Sequence, residues 1–383
     1  MSNHESPLRL AFVMPGIGVY ERGAEIFVVE LAEALVGRHG FEVELYCRGP
    51  VGLPHHRIDA FSRDTRWWNA LYSATRLGRK ALDTLYLDPL NLEWDTAALA
   101  SLPGLWRGGY DAVVMEGGLV GAWGCRLLRL AKGTPFVDIA HGNSPKWEGA
   151  FARQRPDRAV VFTAAAAEMV RERAPRAHIE IIPHGVDLER FTPSGPSVST
   201  GTPVELALQS PIFLTAGSVD PHKRMELAVE AVARLGRGSL VVLGDGESAA
   251  ALDALAVRRL GSGRYLRRRV PRHEIAAWYR AADVFTLPSL TESFGLVYLE
   301  AMACGRPCVA TADTVRREVL GDGGLCCDPA ALDDYTATLV RALETAWGDR
   351  PRRQAERYPF TATVDDYAAM FRQLIAEQRR ALR

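Results

Sequence analysis

Short apolar runs closed by Gly, Pro or Asp recur along this chain and alternate with segments of helical period, which narrows the folds open to it more than any other feature. The runs include Leu10 to Met14, Val43 to Cys47, Ala112 to Met115, Phe136 to Ile139, Ala159 to Phe162, Ile179 to Ile182, Ile212 to Ala216, Leu240 to Leu243, Val284 to Leu287 and Cys308 to Ala310. Alternation of this kind argues for βαβ units and parallel sheets, and against an all-α fold or a sandwich. The pattern breaks between Phe191 and Glu205, where Thr192-Pro193-Ser194-Gly195-Pro196-Ser197-Val198-Ser199-Thr200-Gly201-Thr202-Pro203 reads as a linker. Two α/β halves are therefore expected, 1–195 and 196–357. After them, Tyr358-Pro359-Phe360 precedes a helical run from Thr363 to about Arg383, with Tyr367, Met370, Phe371 and Leu374 on one face. Gly49 to Pro54 and the stretch around Pro103 to Gly109 read as loops.

The 383 residues suffice for two domains with separate cores. Lys plus Arg and Asp plus Glu are equal at 46 each, so no global field draws the chain to nucleic acid. The polar start Met1 to Pro7 leads into a short apolar run and lacks the parts of a signal peptide. No apolar stretch reaches the roughly 20 residues that span a bilayer. A cytoplasmic protein is expected. Cys47, Cys125, Cys304, Cys308, Cys326 and Cys327 show no paired zinc spacing and read as small buried apolar residues in a reducing compartment.

The segment Thr291 to Met302 places Glu292 and Glu300 eight positions apart around an apolar run, just after the strand Val284 to Leu287. Strand-to-helix junctions are where open α/β sheets bind ligands. With residues 294–304 helical, the 1.5 Å rise separates the two backbones by about 12 Å. Glycosidase carboxyl pairs stand within about 10 Å of each other. The spacing suits contact with both ends of a sugar-diphosphate-nucleoside instead, with the amides of Gly295 and Leu296 at a helix N-terminus for the diphosphate. On these residues alone the alternative stands that Glu292 caps a helix and Glu300 lies on a solvated face.

Glu292-Ser293-Phe294-Gly295-Leu296-Val297-Tyr298-Leu299-Glu300, followed by Ala301 to Ala310, resembles the E-x7-E signature of retaining GT-B glycosyltransferases of family 4. Ile181 to Asp187, Thr215-Ala216-Gly217 with Lys223, Gly244-Asp245-Gly246-Glu247 and Tyr279 to Asp283 are similar to further motifs of that family, in its order. The resemblance is strong over the C-terminal half and looser over the N-terminal half. It implies an α/β GT-B fold of two Rossmann-like domains facing each other across a cleft. Residues 1–195 would bind the acceptor, 196–357 the nucleotide sugar, and 358–383 would form a helix crossing back to the first domain. It further implies Glu292 on the donor sugar and His141 as the catalytic residues, Glu300 on the ribose hydroxyls and Lys223 on the diphosphate. Gly23, Arg224, Ser293, Phe294, Gly295, Leu296 and Val297 complete the implied donor-binding set. No Asp-x-Asp occurs in the chain, and neither metal nor cofactor is expected.

Other segments allow more than one reading. Asp220 reads as a helix N-cap with Pro221 at the first helical position. Ser218 stands where the family has Arg, and Arg224, where it often has Gly, is the candidate replacement. Gly16-Ile17-Gly18 and Arg22-Gly23 follow the first strand. A helix starting at glycine lets a phosphate approach closely, whereas a dinucleotide fingerprint would need a further glycine. His141 follows the strand Phe136 to Ile139, on which Asp138 reads as structural, and His184 to Asp187 reads as a hinge. The glycines of Gly244 to Glu247 suit a tight turn as well as a ligand. By the resemblance Arg267-Arg268-Arg269-Val270-Pro271-Arg272 would line the nucleobase pocket, although Arg268 stands where the family usually has Gly, and on the residues alone the run reads as a solvated face or an oligomer contact. Residues 61–92 interleave Trp67, Trp68, Leu71, Tyr72, Leu77 and Tyr86 with Arg63, Arg66, Arg76, Arg79 and Lys80. That mixture is compatible with peripheral contact at the inner face of a membrane, with a cover over the acceptor cleft, and with core packing.

The expected activity is transfer of a hexosyl unit, with retention, from a UDP- or GDP-sugar to an acceptor hydroxyl on a glycan, a lipid-linked saccharide or a small metabolite. A non-catalytic nucleotide-sugar-binding module and a sugar-nucleotide epimerase are the alternatives. Oligomeric state is left open.

Overall fold

A computed structural model describes residues 6–20, 22–74, 76–84, 87–115, 118–142, 152–198 and 208–382. It divides into two units, Met1–Ile182 with Val364–Arg383, and Pro183–Thr363.

Among the described residues the first unit holds β1 (Arg9–Val13), β2 (Glu42–Cys47), β3 (His55–Arg57), β4 (Ala112–Met115), β5 (Phe136–Ile139), β6 (Arg158–Val161) and β7 (Ile179–Ile181). They lie in the order β3-β2-β1-β4-β5-β6-β7, every pair parallel. Leu10 to Val13, Ala112 to Met115 and Phe136 to Ile139 are buried throughout, as strands covered on both faces must be. Each Leu, Val, Ile or Phe so buried contributes about 1.5–3 kcal/mol of transfer free energy.

Helix Pro89–Gly108 contradicts the loop expected around Pro103 to Gly109, since Pro103 lies inside it. Proline removes one backbone hydrogen bond, but Ala97, Ala98, Ser101 and Leu105 bury a continuous face that holds the turn in place. Helices Arg66–Ser73 and Arg76–Thr84 cover much of the aromatic and basic segment. There Trp67 and Leu71 are exposed, while Trp68 meets Phe61 edge-on at 6.3 Å. Tyr86 and the side chains of Arg76 and Leu77 lie outside the described residues.

The last helix, Phe360–Ala381, joins the first unit from Val364 onward. Its buried Phe371 packs on Phe12 and Phe41, and Arg379 Nη2 bonds Asp111 Oδ1 at 2.8 Å.

The second unit holds β8 (Ile212–Ala216), β9 (Ser239–Leu243), β10 (Tyr265–Arg268), β11 (Val284–Leu287), β12 (Cys308–Thr311) and β13 (Gly324–Cys327). Their order is β10-β9-β8-β11-β12-β13, again all parallel. The chain passes between units at Pro183 and again at Val364, so the break falls before the linker expected near 195. Thr192 to Val198 is part of the second unit, because Arg280 donates to the carbonyls of Pro196 (2.7 Å) and Thr192 (3.2 Å). Residues 199–203 of that linker lie outside the described ones. Strand order reverses between β1 and β4 and between β8 and β11, the switch points beside which doubly wound sheets form their ligand crevices.

Candidate active site

At the switch point of the second sheet, β8 and β11 run side by side, Phe213 level with Val284 and Leu214 with Phe285. Their carboxyl-end loops therefore emerge together. The loop after β8 carries Lys223 and the loop after β11 carries Glu292, and Lys223 Nζ lies 2.7 Å from Glu292 Oε1. Both side chains are half-buried, where a charge pair is less screened than at the open surface. Alongside them His222 Nε2 stands 2.9 Å from Thr291 Oγ1, and the Leu290 amide donates to the His222 carbonyl.

The β8 loop folds differently from the expected cap. Asp220 Oδ1 accepts from the amides of His222 (2.9 Å) and Lys223 (3.1 Å), closing a turn, and the helix begins only at Met225. Arg224 sits between turn and helix with φ 47° and ψ 38°, which is left-handed. Its guanidinium donates to the carbonyl oxygens of Pro288 (2.8 Å) and Ser289 (3.4 Å) and to Thr311 Oγ1 (3.3 Å). Those contacts tie Arg224 to the β11 loop, so as a replacement for the missing family arginine it is already engaged. Ser218 Oγ meets Asp220 Oδ2 at 2.5 Å.

The helix after Glu292 is shorter than expected, Leu296–Ala303 rather than 294–304, so Glu292 stands on the loop before it. Gly295 is its N-cap with φ 90°, and an added Cβ there would lie 2.5 Å from the Tyr298 ring. Only glycine suits both demands. The first amides of a helix have no intrahelical acceptor, so the Leu296 and Val297 N–H groups mark the positive end of this one. Ser293, Leu296 and Val297 are half-buried, but the Phe294 ring is buried between His184 (5.6 Å) and Tyr358 (5.5 Å). As an expected donor-binding residue Phe294 offers only its backbone.

Glu300 is not on a solvated face. It is buried, with Oε2 accepting from the Tyr279 hydroxyl at 2.8 Å and Oε1 from Arg272 Nη1. Burial, and then the Glu300 charge, push the Tyr279 phenol well above its ordinary range, so it remains a donor. Arg272 also lies over the Phe191 ring at 5.2 Å. Elsewhere in the basic run, Arg267 clasps Asp253 with Nε (2.9 Å) and Nη2 (2.8 Å).

Sequence reasoning missed the frame beneath Glu292. Arg316 is fully buried, and its Nη1 donates to the Ser289 carbonyl and Oγ, both at 2.9 Å. Its Nη2 donates to the Leu290 carbonyl at 3.0 Å and to Asp313 Oδ2. Thr311 Oγ1 donates to the same Ser289 carbonyl at 2.8 Å. The available signal was the i, i+3, i+4 spacing of Arg316 with Val319 and Leu320, both buried. The Gly244 turn fits its structural reading, since an added Cβ at Gly244 would fall 1.8 Å from the Gly217 carbonyl oxygen.

Gly23 and His141 belong to the first unit. Gly23 opens the helix Gly23–His39, with nothing within 4 Å of where a Cβ would stand. His141 follows β5 and packs against Phe27 of that helix (5.6 Å) and against Phe162 (5.3 Å). Nearby in the chain, Arg22 and Arg63 lie over the Tyr20 ring at 4.6 and 4.8 Å. Buried Glu93 takes Arg48 Nη1 at 2.6 Å and Arg63 Nε. Among the described residues no group of three or more His, Cys, Asp or Glu side chains is placed to hold a metal ion.

Two parallel-sheet Rossmann-like units, one with a Lys–Glu pair and a glycine-capped helix at its switch point, define a two-domain α/β protein of the GT-B kind. The family model "Glycosyltransferase Family 4" matches residues 22–190, and "Glycosyl transferases group 1" matches residues 210–345. A D-inositol 3-phosphate glycosyltransferase of Xylanimonas cellulosilytica is 31% identical over 382 residues, covering 91% of this chain and 86% of that one. The similarity to the enzyme of the same description from Kineococcus radiotolerans is 33% but spans about half of either chain, 54%. Among solved structures, sucrose-phosphate synthase from Thermosynechococcus elongatus superposes with a TM-score of 0.77 at 21% identity, over 97% of this chain and 100% of that one. The chain belongs to the GT-B glycosyltransferases of family 4.

Proposed function

We propose that the protein moves a hexosyl unit from a nucleoside-diphosphate sugar to an acceptor hydroxyl, with retention at the anomeric carbon. The observation that carries the reading is the Lys223–Glu292 pair beside the N-terminus of helix Leu296–Ala303. Lys223 and the Leu296 and Val297 amides would offset the diphosphate charge as the leaving group develops. Glu292 would meet the donor sugar, and Glu300 the ribose hydroxyls once Arg272 yields. In the step proposed, the acceptor oxygen bonds the anomeric carbon as the carbon–phosphate-oxygen bond breaks. The acceptor proton passes to the departing phosphate oxygen. Metal-independent transfer is part of the proposal, motivated by the cationic and amide groups at the site and by the lack of an Asp-x-Asp sequence.

For the acceptor, the relatives' name points to a phosphorylated cyclitol. The guanidinium of Arg22 over the Tyr20 ring in the first unit suits an anionic hydroxyl compound, while Arg63 beside it is held by Glu93. His141 is proposed to contact the transferred sugar.

The test is release of nucleoside diphosphate from UDP- and GDP-sugars, with and without candidate acceptors and with and without EDTA. Acceptor-dependent release supports transfer, and donor interconversion without acceptor would indicate an epimerase instead. One observation favours a binding module without transfer, namely that Ser218 pairs with Asp220 where a cation would face the diphosphate. Binding of nucleoside diphosphate with no release under any condition would support that second reading.

A further inference from the structure

The outward face of helix Leu119–Lys132 is apolar where a helix covering a sheet is ordinarily polar. Trp123, Leu127 and Leu130 follow i, i+4, i+7 spacing and are 61%, 59% and 84% exposed, whereas Ala122, Cys125 and Leu128 face inward and are buried. On the adjoining helix Pro89–Gly108, Leu99 and Trp106 are exposed as well. The two helices touch closely, for a Cβ added at Gly124 would stand 2.5 Å from Leu102. Lys132 joins their ends, with Nζ 5.3 Å from the Trp106 ring centre and bonded to the Trp106 carbonyl. Exposed Leu382 packs beside Gly133, at the end of the same face.

Cations accompany the apolar patch. Helix Leu119–Lys132 contains Arg126, Arg129 and Lys132 and no Asp or Glu. Arg126 lies over the Trp123 ring at 5.1 Å, and Arg107 is exposed next to Trp106 in the chain. Arg129 is bridged to Asp157 at 3.0 Å, which leaves Arg107, Arg126 and Lys132. Asp95 of the adjoining helix is turned inward, accepting from the Val120 amide at 2.9 Å.

We propose that this face docks on the surface of an anionic lipid bilayer. Trp106 and Trp123 would sit at headgroup depth, Leu127 and Leu130 at the acyl boundary, and Arg107, Arg126 and Lys132 against lipid phosphates. Tryptophan and leucine on one side with arginine and lysine at its margin is the arrangement of an interfacial helix, and each cation adds attraction to an anionic leaflet. A second copy of the chain suits the face less well, because an isologous contact sets the same cations against each other. The contact proposed is docking, since among the described residues no helix is long and apolar enough to cross a membrane.

Vesicle co-sedimentation of the full chain tests this, with phosphatidylcholine vesicles set against vesicles containing a third phosphatidylglycerol. Wild-type protein should partition at least about tenfold more strongly to the anionic vesicles, less so in high salt. The pair Trp123→Ser with Leu130→Ser, and separately Arg126→Glu with Lys132→Glu, should each lower that partition by about tenfold or more while the circular dichroism spectrum stays as in the wild type. Wild-type protein that ignores anionic vesicles would overturn the proposal, whatever the variants do. So would variants that are folded and bind as well as wild type, or light scattering showing a dimer that Trp123→Ser with Leu130→Ser converts to monomer.

Discussion

Lys223 Nζ and Glu292 Oε1, 69 residues apart in the chain, stand 2.7 Å from each other where β8 and β11 end side by side. Neither residue is constrained by its own helix. Each lies on a loop whose position depends on the strand it leaves and on groups that pin it from below.

Glu292→Gln keeps the shape of the side chain and removes its charge. If Glu292 faces the donor sugar, kcat should fall by about a hundredfold or more with little change in melting temperature. Lys223→Ala should instead weaken binding of nucleoside diphosphate, measured by calorimetry. A Glu292→Gln enzyme with wild-type turnover would remove that residue from the reaction.

Arg316 holds the carbonyls of Ser289 and Leu290 just before Glu292. Arg316→Leu leaves those buried oxygens short of donors and Asp313 without its partner, at a cost of about 3 kcal/mol in denaturant unfolding. Arg316→Lys should recover part of the stability but less of the turnover, because one ammonium cannot reproduce the guanidinium fork.

Glu300 has a separate pair of partners, and removing them one at a time should give unequal losses. Tyr279→Phe deletes a hydrogen bond and should cost about 1 kcal/mol. Arg272→Met leaves a buried carboxylate without its cation and should cost about 3 kcal/mol. Equal melting temperatures for the two variants would contradict this placement of Glu300.

All six cysteines are free, and all but Cys326 are buried. Burial pushes the thiols of Cys125, Cys304 and Cys327 up to about 12 and that of Cys47 to about 11. At pH 8 such thiols are about one part in a thousand thiolate or less. A thiol reagent should therefore modify Cys326 first in the native protein, and the others only on unfolding. Rapid native labelling of Cys125 or Cys304 would show that their surroundings open to solvent.

The Arg267 guanidinium holds the Asp253 carboxyl below its ordinary range. A carboxyl lowered by folding contributes stability that is fully present above its unfolded pKa, near 4, and is lost as pH falls through the lower folded value. Melting temperature measured from pH 6 to pH 2.5 should accordingly fall less steeply below about pH 4 in Asp253→Asn than in wild type.

Most of the parallel strands were legible because each is a buried apolar run. Those that were not, β3, β10 and β13, lie at the edges of their sheets. His55-His56-Arg57 is exposed throughout, and Tyr265-Leu266-Arg267-Arg268 read as part of a basic run. An edge strand has one neighbour and need not bury both faces, so the apolar signal is weak there. Pro103 misled in the other sense, since the buried face of Pro89–Gly108 outweighs one missing hydrogen bond.

The candidate site was legible as a set of residue types and obscure as a set of partners. Glu292, Glu300, Lys223 and Gly295 stand out in the sequence. That Arg272 and Tyr279 hold Glu300, that Arg224 turns onto the β11 loop, and that Arg316 lies beneath it do not. Arginines in a basic run or on a short helix look like solvated charges until strand order brings acceptors to them.

By itself the sequence determined the alternation of strand and helix, the glycine that starts the helix after Glu292, and the acidic pair around it, because these follow from periodicity and backbone freedom within a few residues. Only the tertiary structure decided which charges meet. Pairs such as Lys223 with Glu292 and Arg272 with Glu300 join positions 69 and 28 residues apart. Their encounter depends on the order in which buried strands pack, a property of the whole sheet that no local segment carries.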